Sequence, residues 1–203
     1  MNHRCLELLL ACASLLLAAP AFAAEDAEIA RMATQVCANC HGPHGNSISS
    51  AFPRLSGQNA AYVEAQLKAF KDQTRGDPYA QAYMWGMASQ LDESTMKRLA
   101  AYYAAQKSKP GRQGDPANMT LGKRIFDSGL PDSGIPPCAS CHGDNAQGKA
   151  DIPRLGGQHP EYLVKQLAAF KSMQRGNAPV MHVVTDKMTF EQMRAIAEYA
   201  ASK

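Results

Sequence analysis

The sequence predicts an all-α protein built as two tandem copies of one small helical domain, after a cleaved signal peptide. Three observations carry that prediction. Residues 52–76 and 152–176 match at 13 of 25 positions, an internal repeat that chance does not produce. Apolar residues recur at three- and four-residue spacing in both copies, and strand-like alternation is absent. The same motif, Cys-x-x-Cys-His, heads each copy at 37–41 and 138–142.

The chain has 203 residues and opens on a secretory signal, residues 1–23. Arg4 is its positive end, Leu6–Leu17 its apolar run and "AFA" at 21–23 its small-residue cleavage site. Glu7 interrupts the run, and a lipid-anchor reading that ends at Cys12 would leave it very short. No later segment reaches the ~20 apolar residues of a spanning helix. The mature chain is therefore expected in the periplasm or an equivalent exported space. Its net charge of +3 survives removal of the signal, because Arg4 and Glu7 cancel. Without a clustered basic stripe, that mild charge argues against nucleic acid as a partner.

Pro, Gly and charged residues cluster in "QKSKPGRQGDPAN", 106–118, as in a linker. The halves are placed at 24–109 and 117–203, with 110–116 between them. Each follows one order: a helix, Cys-x-x-Cys-His, a Gly-rich loop, Pro-Arg-Leu-x-Gly-Gln, a helix, a Met-bearing loop and a last helix. Asn59 is positioned to cap the helix that starts near Ala60, and Pro160 occupies the first turn of its twin. Tyr62, Gln66, Ala69 and Phe70 fall at helical spacing, as do Tyr162, Gln166, Ala169 and Phe170. "TFEQ" at 189–192 reads as a capping box opening the last helix. Phe190, Met193, Ala197 and Ala200 form its apolar stripe, matched by Met96, Leu99 and Tyr103 in the first half. Domains of 80 to 90 residues have small cores, and such domains often need a cofactor as a staple.

Cysteine usage narrows the chemistry. Outside the signal the only cysteines are Cys37, Cys40, Cys138 and Cys141, all within the repeated motif. No pair is left over for a structural disulfide. A zinc site would want four protein ligands, and each half offers two thiols and few histidines. A thioredoxin-like dithiol would sit in a strand–helix alternation that is missing. Covalent haem attachment needs two thiols for two vinyl groups on one porphyrin edge, and a histidine beside the second to meet the iron. The motif supplies that spacing twice. Cys37 and Cys40 would hold one haem with His41 as axial ligand, and Cys138, Cys141 and His142 would serve another.

Aligning the last helices puts Met84 opposite Met181, whereas Met87 falls on Val184. This pair is the candidate for the second axial ligands; the alternative is that both are core filler. His44 and His182 are rival ligands, but their counterparts are Asn145 and Trp85, so neither role would be shared. An axial histidine usually gives its other ring N–H to a carbonyl, and Pro53 and Pro153 offer one in each half, if they are not simply turn prolines. Arg54 and Arg154 would pair with haem propionates or remain solvated.

"CANCHGPHGNS", "CASCHGDNAQG", "FPRLSGQ", "IPRLGGQ" and the aligned methionines resemble the dihaem cytochrome c4 family over essentially the whole mature chain. The resemblance implies two cytochrome c-like domains related by approximate two-fold symmetry, with haem propionate edges facing across their interface. It implies His/Met ligation by His41 with Met84 and His142 with Met181, and support of the histidines by the carbonyls of Pro53 and Pro153. One departure is that the segment from Gly76 to Met84 is three residues longer than its counterpart.

With six ligands on each iron, chemistry at the metal is disfavoured and one-electron transfer remains. The expectation is a periplasmic carrier with two covalent haem c groups and no catalytic residue. Its transient partners would be a quinol-oxidising complex or dehydrogenase on one side and a terminal oxidase or reductase on the other. Peripheral association with a membrane stays open. The alternatives are a dihaem subunit of a flavoprotein or other dehydrogenase, or a dihaem peroxidase-like enzyme. The longer segment before Met84 is the one feature leaning towards an enzyme.

Overall fold

The computed structural model describes residues 24–203. The expected signal peptide, 1–23, lies outside the described residues. Among those residues there are helices and two isolated bridges, Leu130–Ile135 and Lys149–Ile152, but no strand.

In the first half, α1 (24–32) runs through a π-helical turn, Ala33–Cys37, into the short α2 (Ala38–His41). Ile29 and Ala33 on this run pack against Leu99 and Tyr103 of α5 (Glu93–Ala104), and all four are buried. Arg98 of α5 holds the start of α1 through Glu25 and Asp26. Between these lie α3 (Ala60–Lys71), a π-helical turn (Ala80–Met84) and α4 (Trp85–Ser89). Asp92 caps α5 by accepting from Thr95 N at 2.7 Å.

The second half repeats the plan with α6 (Pro116–Ser128), α7 (Ala139–His142), α8 (Pro160–Lys171), α9 (Pro179–Asp186) and α10 (Phe190–Ala201). Helix α6 crosses α10 so closely that a Cβ on Gly122 would lie 2.1 Å from Ala195 O, so only glycine fits there. Ile125, Met193 and Ile196 fill the space around that crossing. Here the entry to the cysteine motif differs. Helix α6 ends at Ser128, and a 3-10 turn with the Leu130–Ile135 bridge leads on to Cys138.

The expected helix signals mostly hold. Thr189 and Gln192 form the capping box with both reciprocal bonds, and Pro160 opens α8. Three expectations need correction. Asn59 precedes α3 but makes no capping bond; its Nδ2 donates to Ile152 O in the other half at 2.7 Å. Phe190 is 65% exposed and leaves the stripe to Met193, Ala197 and Ala200. The Met-bearing segments are helical rather than loop. Pro179, preset for a first helical turn, starts α9, and the longer first-half segment closes as a π-turn.

The halves meet through bonds that repeat with roles exchanged. Gln58 accepts from Arg154 N at 2.7 Å and donates to Arg154 O at 2.9 Å. Gln158 accepts from Arg54 N and donates to Arg54 O, both at 2.9 Å. This reciprocity is the two-fold relation that the repeat and the family resemblance imply.

Candidate functional site

Each Cys-x-x-Cys-His motif folds as one turn of helix. In the first, Cys37 is half-buried and Cys40 exposed; in the second, Cys138 is half-buried and Cys141 exposed, and all four thiols are free. Burial pushes the Cys37 thiol up and the Cys138 thiol to about 11. Both are therefore neutral thiols at ordinary pH, unlike the thiolates of reactive dithiols. Among the described residues no three His, Cys, Asp or Glu gather closely enough to share a metal ion.

The histidine ends the turn. A glycine follows at once in each half, Gly42 at φ 75° and Gly143 at φ 78°, which reverses the chain. A Cβ on Gly42 would lie 2.6 Å from Asn46 O. The returning chain brings a proline carbonyl to the imidazole. His41 Nδ1 donates to Pro53 O at 2.9 Å, and His142 Nδ1 donates to Pro153 O at 3.0 Å. Burial lowers the pKa of both rings, and the carbonyl only partly offsets it. Each imidazole is therefore neutral, with its proton held on Nδ1 and its Nε2 lone pair without a protein partner among the described residues. That is the form a metal-ligating histidine takes.

Met84 ends the π-turn and is half-buried against Phe70, Ala80 and Ala88. Met181 lies in α9 and is also half-buried. The neighbouring methionines differ from them, since Met87 is 45% exposed and Met188 is buried in the core at 3%. The next residues support the alignment. Trp85 Nε1 donates to Arg75 O, and His182 Nε2 donates to Arg175 O, both at 2.8 Å. Two chemically different rings thus hang from the equivalent carbonyl, which places Met84 and Met181 at equivalent points. The Nε2 of His182 is thus committed to a backbone carbonyl, and Met173 Sδ sits beside its Nδ1. His44 is exposed and in left-handed backbone.

Arg54 donates to Gly157 O at 2.5 Å and to Ser47 O at 3.3 Å, and Arg154 Nε donates to Gly156 O at 3.0 Å. Both guanidiniums are therefore spent partly on carbonyls near the interface. In the first half alone, aromatic rings lead outward from the histidine: His41 to Phe52 at 6.2 Å, Phe52 to Tyr83 at 5.4 Å and Tyr83 to Tyr79 at 6.2 Å.

Sequence reasoning missed what Tyr62, Gln66 and Arg75 do, together with Tyr162, Gln166 and Arg175. The spacing marked the tyrosines and glutamines as one helical face, and that face meets the other domain. Their identity in both copies was the available signal.

Two thiols on one turn, followed by an anchored neutral imidazole, form a donor set that fits a covalently attached haem in each half. The comparisons agree. The cytochrome c family model matches residues 26–106 and again 119–202. Cytochrome c-552 of Acidithiobacillus ferridurans is 39% identical over 187 residues, covering 91% of this chain and 81% of that protein. The solved structure of cytochrome c4 from Acidithiobacillus ferrooxidans matches with a TM-score of 0.77 at 39% identity, covering 82% of this chain and 98% of that one. The thiosulfate dehydrogenase electron acceptor of Thiomonas intermedia (strain K12) is 35% identical over 173 residues, covering 82% of this chain and 78% of that protein.

Proposed function

Because the chain belongs to the cytochrome c family, in its two-domain cytochrome c4 branch, we propose that it ferries single electrons between redox proteins in the periplasm. Its cofactors are two haem c groups, one in each domain, which supply a reversible one-electron iron couple. Cys37 and Cys40 hold the first through thioethers, and Cys138 and Cys141 hold the second. His41 with Met84, and His142 with Met181, would hold the two irons. With a histidine and a methionine committed to each iron, the chain would act as a carrier rather than an enzyme. A quinol-oxidising complex or dehydrogenase reduces it, and a terminal oxidase or reductase oxidises it, through weak and transient docking.

The observation that carries this reading is the repeated pinning of a neutral imidazole by a proline carbonyl, at 2.9 and 3.0 Å. The carbonyl holds each ring in one orientation and raises the basicity of Nε2. Helical turns around both methionines limit how far the ligands move when the charge changes.

A spectroelectrochemical titration of the purified holoprotein tests it. Two redox steps and a near-infrared sulfur-to-iron band are expected. Met84→Ala and Met181→Ala should each remove about half of that band, as expected for one methionine at each of two irons. An unchanged band in either variant refutes that ligand. Fewer than two porphyrins by mass spectrometry would refute the carrier reading itself.

A second reading is a dihaem electron-accepting subunit that stays with its dehydrogenase. The Thiomonas relative, named as a thiosulfate dehydrogenase electron acceptor, supports it. A dehydrogenase copurifying in stoichiometric amount would favour this reading over the free carrier.

A further inference from the structure

Arg75 and Arg175 are buried at the domain interface, at 5% and 4% exposure. Their guanidiniums share acceptors. Gln66 Oε1 accepts from both at 2.9 Å. Gln166 Oε1 accepts from Arg75 at 2.9 Å and from Arg175 at 2.7 Å. Arg75 also donates to Tyr162 Oη and to the buried Asp77 Oδ2, and Arg175 donates to Tyr62 Oη. The equivalent of Asp77 is Asn177, whose Nδ2 donates to Gln66 Oε1 at 3.1 Å. Each guanidinium lies over the phenylalanine of its own domain, Phe70 or Phe170. Side chains held at so many points leave their own backbone little freedom. The carbonyls of Arg75 and Arg175 are therefore fixed points, set by contacts that reach into the other domain.

Those carbonyls are where the methionine-bearing turns are tied. Trp85 Nε1 donates to Arg75 O, and His182 Nε2 donates to Arg175 O, both at 2.8 Å. Each ring follows its methionine by one residue. Successive side chains on a helix point about 100° apart, so fixing one fixes the direction of the other. Lysines hold the other ends of these helices: Lys71 Nζ donates to Leu91 O just after α4, and Lys171 Nζ to Asp186 O at the end of α9.

The two rings sit in different company. Trp85 packs with Met84 against Phe70, Ala80 and Ala88, whereas the His182 ring lies 6.3 Å from that of Phe170. Tryptophan and histidine also differ in size and in apolar character. What they share is a ring N–H within reach of the arginine carbonyl. The bond, rather than the bulk of the side chain, is therefore what this position supplies in both copies.

We propose that Trp85 and His182 are positioning residues for the axial methionines: each ring, through its bond to the arginine carbonyl, keeps the thioether of Met84 or Met181 turned towards its iron. This rests on the histidine and methionine ligation proposed above and adds the residues that hold it. Neither ring touches the metal. With the bond gone, the turn is free to rotate, and the thioether yields its place more readily to another ligand.

The test titrates the ferric holoprotein with imidazole, which displaces a methionine and removes its near-infrared sulfur-to-iron band. In a Met181→Ala background the remaining band reports Met84 alone, and in a Met84→Ala background it reports Met181. Trp85→Phe should lower the imidazole concentration that halves the Met84 band by roughly two- to tenfold, the effect of one lost hydrogen bond. It should leave the Met181 band where it was. Trp85→His keeps a ring donor, of the kind that reaches the equivalent carbonyl in the second domain, and should restore the Met84 midpoint. His182→Phe should give the converse pattern. The proposal is overturned if Trp85→Phe leaves the Met84 midpoint unchanged, even with a lower unfolding temperature, or if it shifts both bands equally. If Trp85→Phe takes up no haem, His182→Phe decides by the same criteria. A holoprotein with no such band, or a methionine variant that keeps all of it, defeats the ligation reading instead, so the two failures are told apart.

Discussion

Gln58→Ala removes one arm of the interdomain clasp, and its cost can be worked from the bonds lost. Gln58 is 7% exposed. Its Oε1 accepts from Arg154 N at 2.7 Å and from Asn59 N at 2.9 Å, and its Nε2 donates to Arg154 O at 2.9 Å. Three buried hydrogen bonds at ~1 kcal/mol each give about 3 kcal/mol. Stranding the backbone groups of Arg154 away from water raises that figure rather than lowering it. For a chain of this size, roughly 2–4 °C per kcal/mol puts the thermal midpoint ~6–12 °C lower. The assay is thermal unfolding of the holoprotein followed by far-ultraviolet circular dichroism. Gln158 makes the mirrored set with Arg54 N, His159 N and Arg54 O, so Gln158→Ala should lose a similar amount. A loss under ~0.5 kcal/mol for either variant would refute the claim that these side chains hold the domains together.

Two further outcomes are expected. Gly42→Ala should cost ~1–3 kcal/mol and reduce first-domain haem occupancy, because it combines a positive φ with a backbone clash at Asn46. Gly143→Ala should cost less, since the atoms nearest its Cβ belong to the flexible Gln147 side chain; haem counts and unfolding midpoints of the two variants check the order. The buried His159 donates from Nε2 to Ser47 O at 3.0 Å. Burial first, then Arg54 and Arg112, depress its pKa, while the Ser47 carbonyl and Glu161 act the other way. With the folded value below the unfolded value of about 6.5, its contribution is present above that pH and is lost as the pH falls through the folded value. Denaturant midpoints measured from pH 7 down to pH 5 should fall in the parent and fall less in His159→Asn.

Much of the site was legible because it depends on spacing along a single turn. Two cysteines three apart and the histidine that follows share one helical turn whatever surrounds them. The offset between the copies put Met84 opposite Met181, and the rings of Trp85 and His182 on equivalent carbonyls support that register. Thr189 and Gln192 bond each other's backbone across four residues, so the capping box was readable too. Asn59 was misread because a cap needs its Oδ1 to accept from an N–H of the first turn of α3, whereas the side chain is turned so that its Nδ2 donates to Ile152 O of the other domain. Phe190 had the right spacing but sits at a helix start where nothing covers it.

The sequence by itself determined two helical copies, a thiol–thiol–imidazole set in each and the pairing of their methionines, since all of these follow from covalent spacing and internal identity. Only the tertiary structure decided that Gln58, Gln158, Arg75 and Arg175 bind the copies together, and that one buried carboxylate, Asp77, faces them without an equivalent. The reason is that polar side chains choose partners by proximity in space. Those partners lie some 90 to 104 residues away along the chain, beyond the reach of any local pattern.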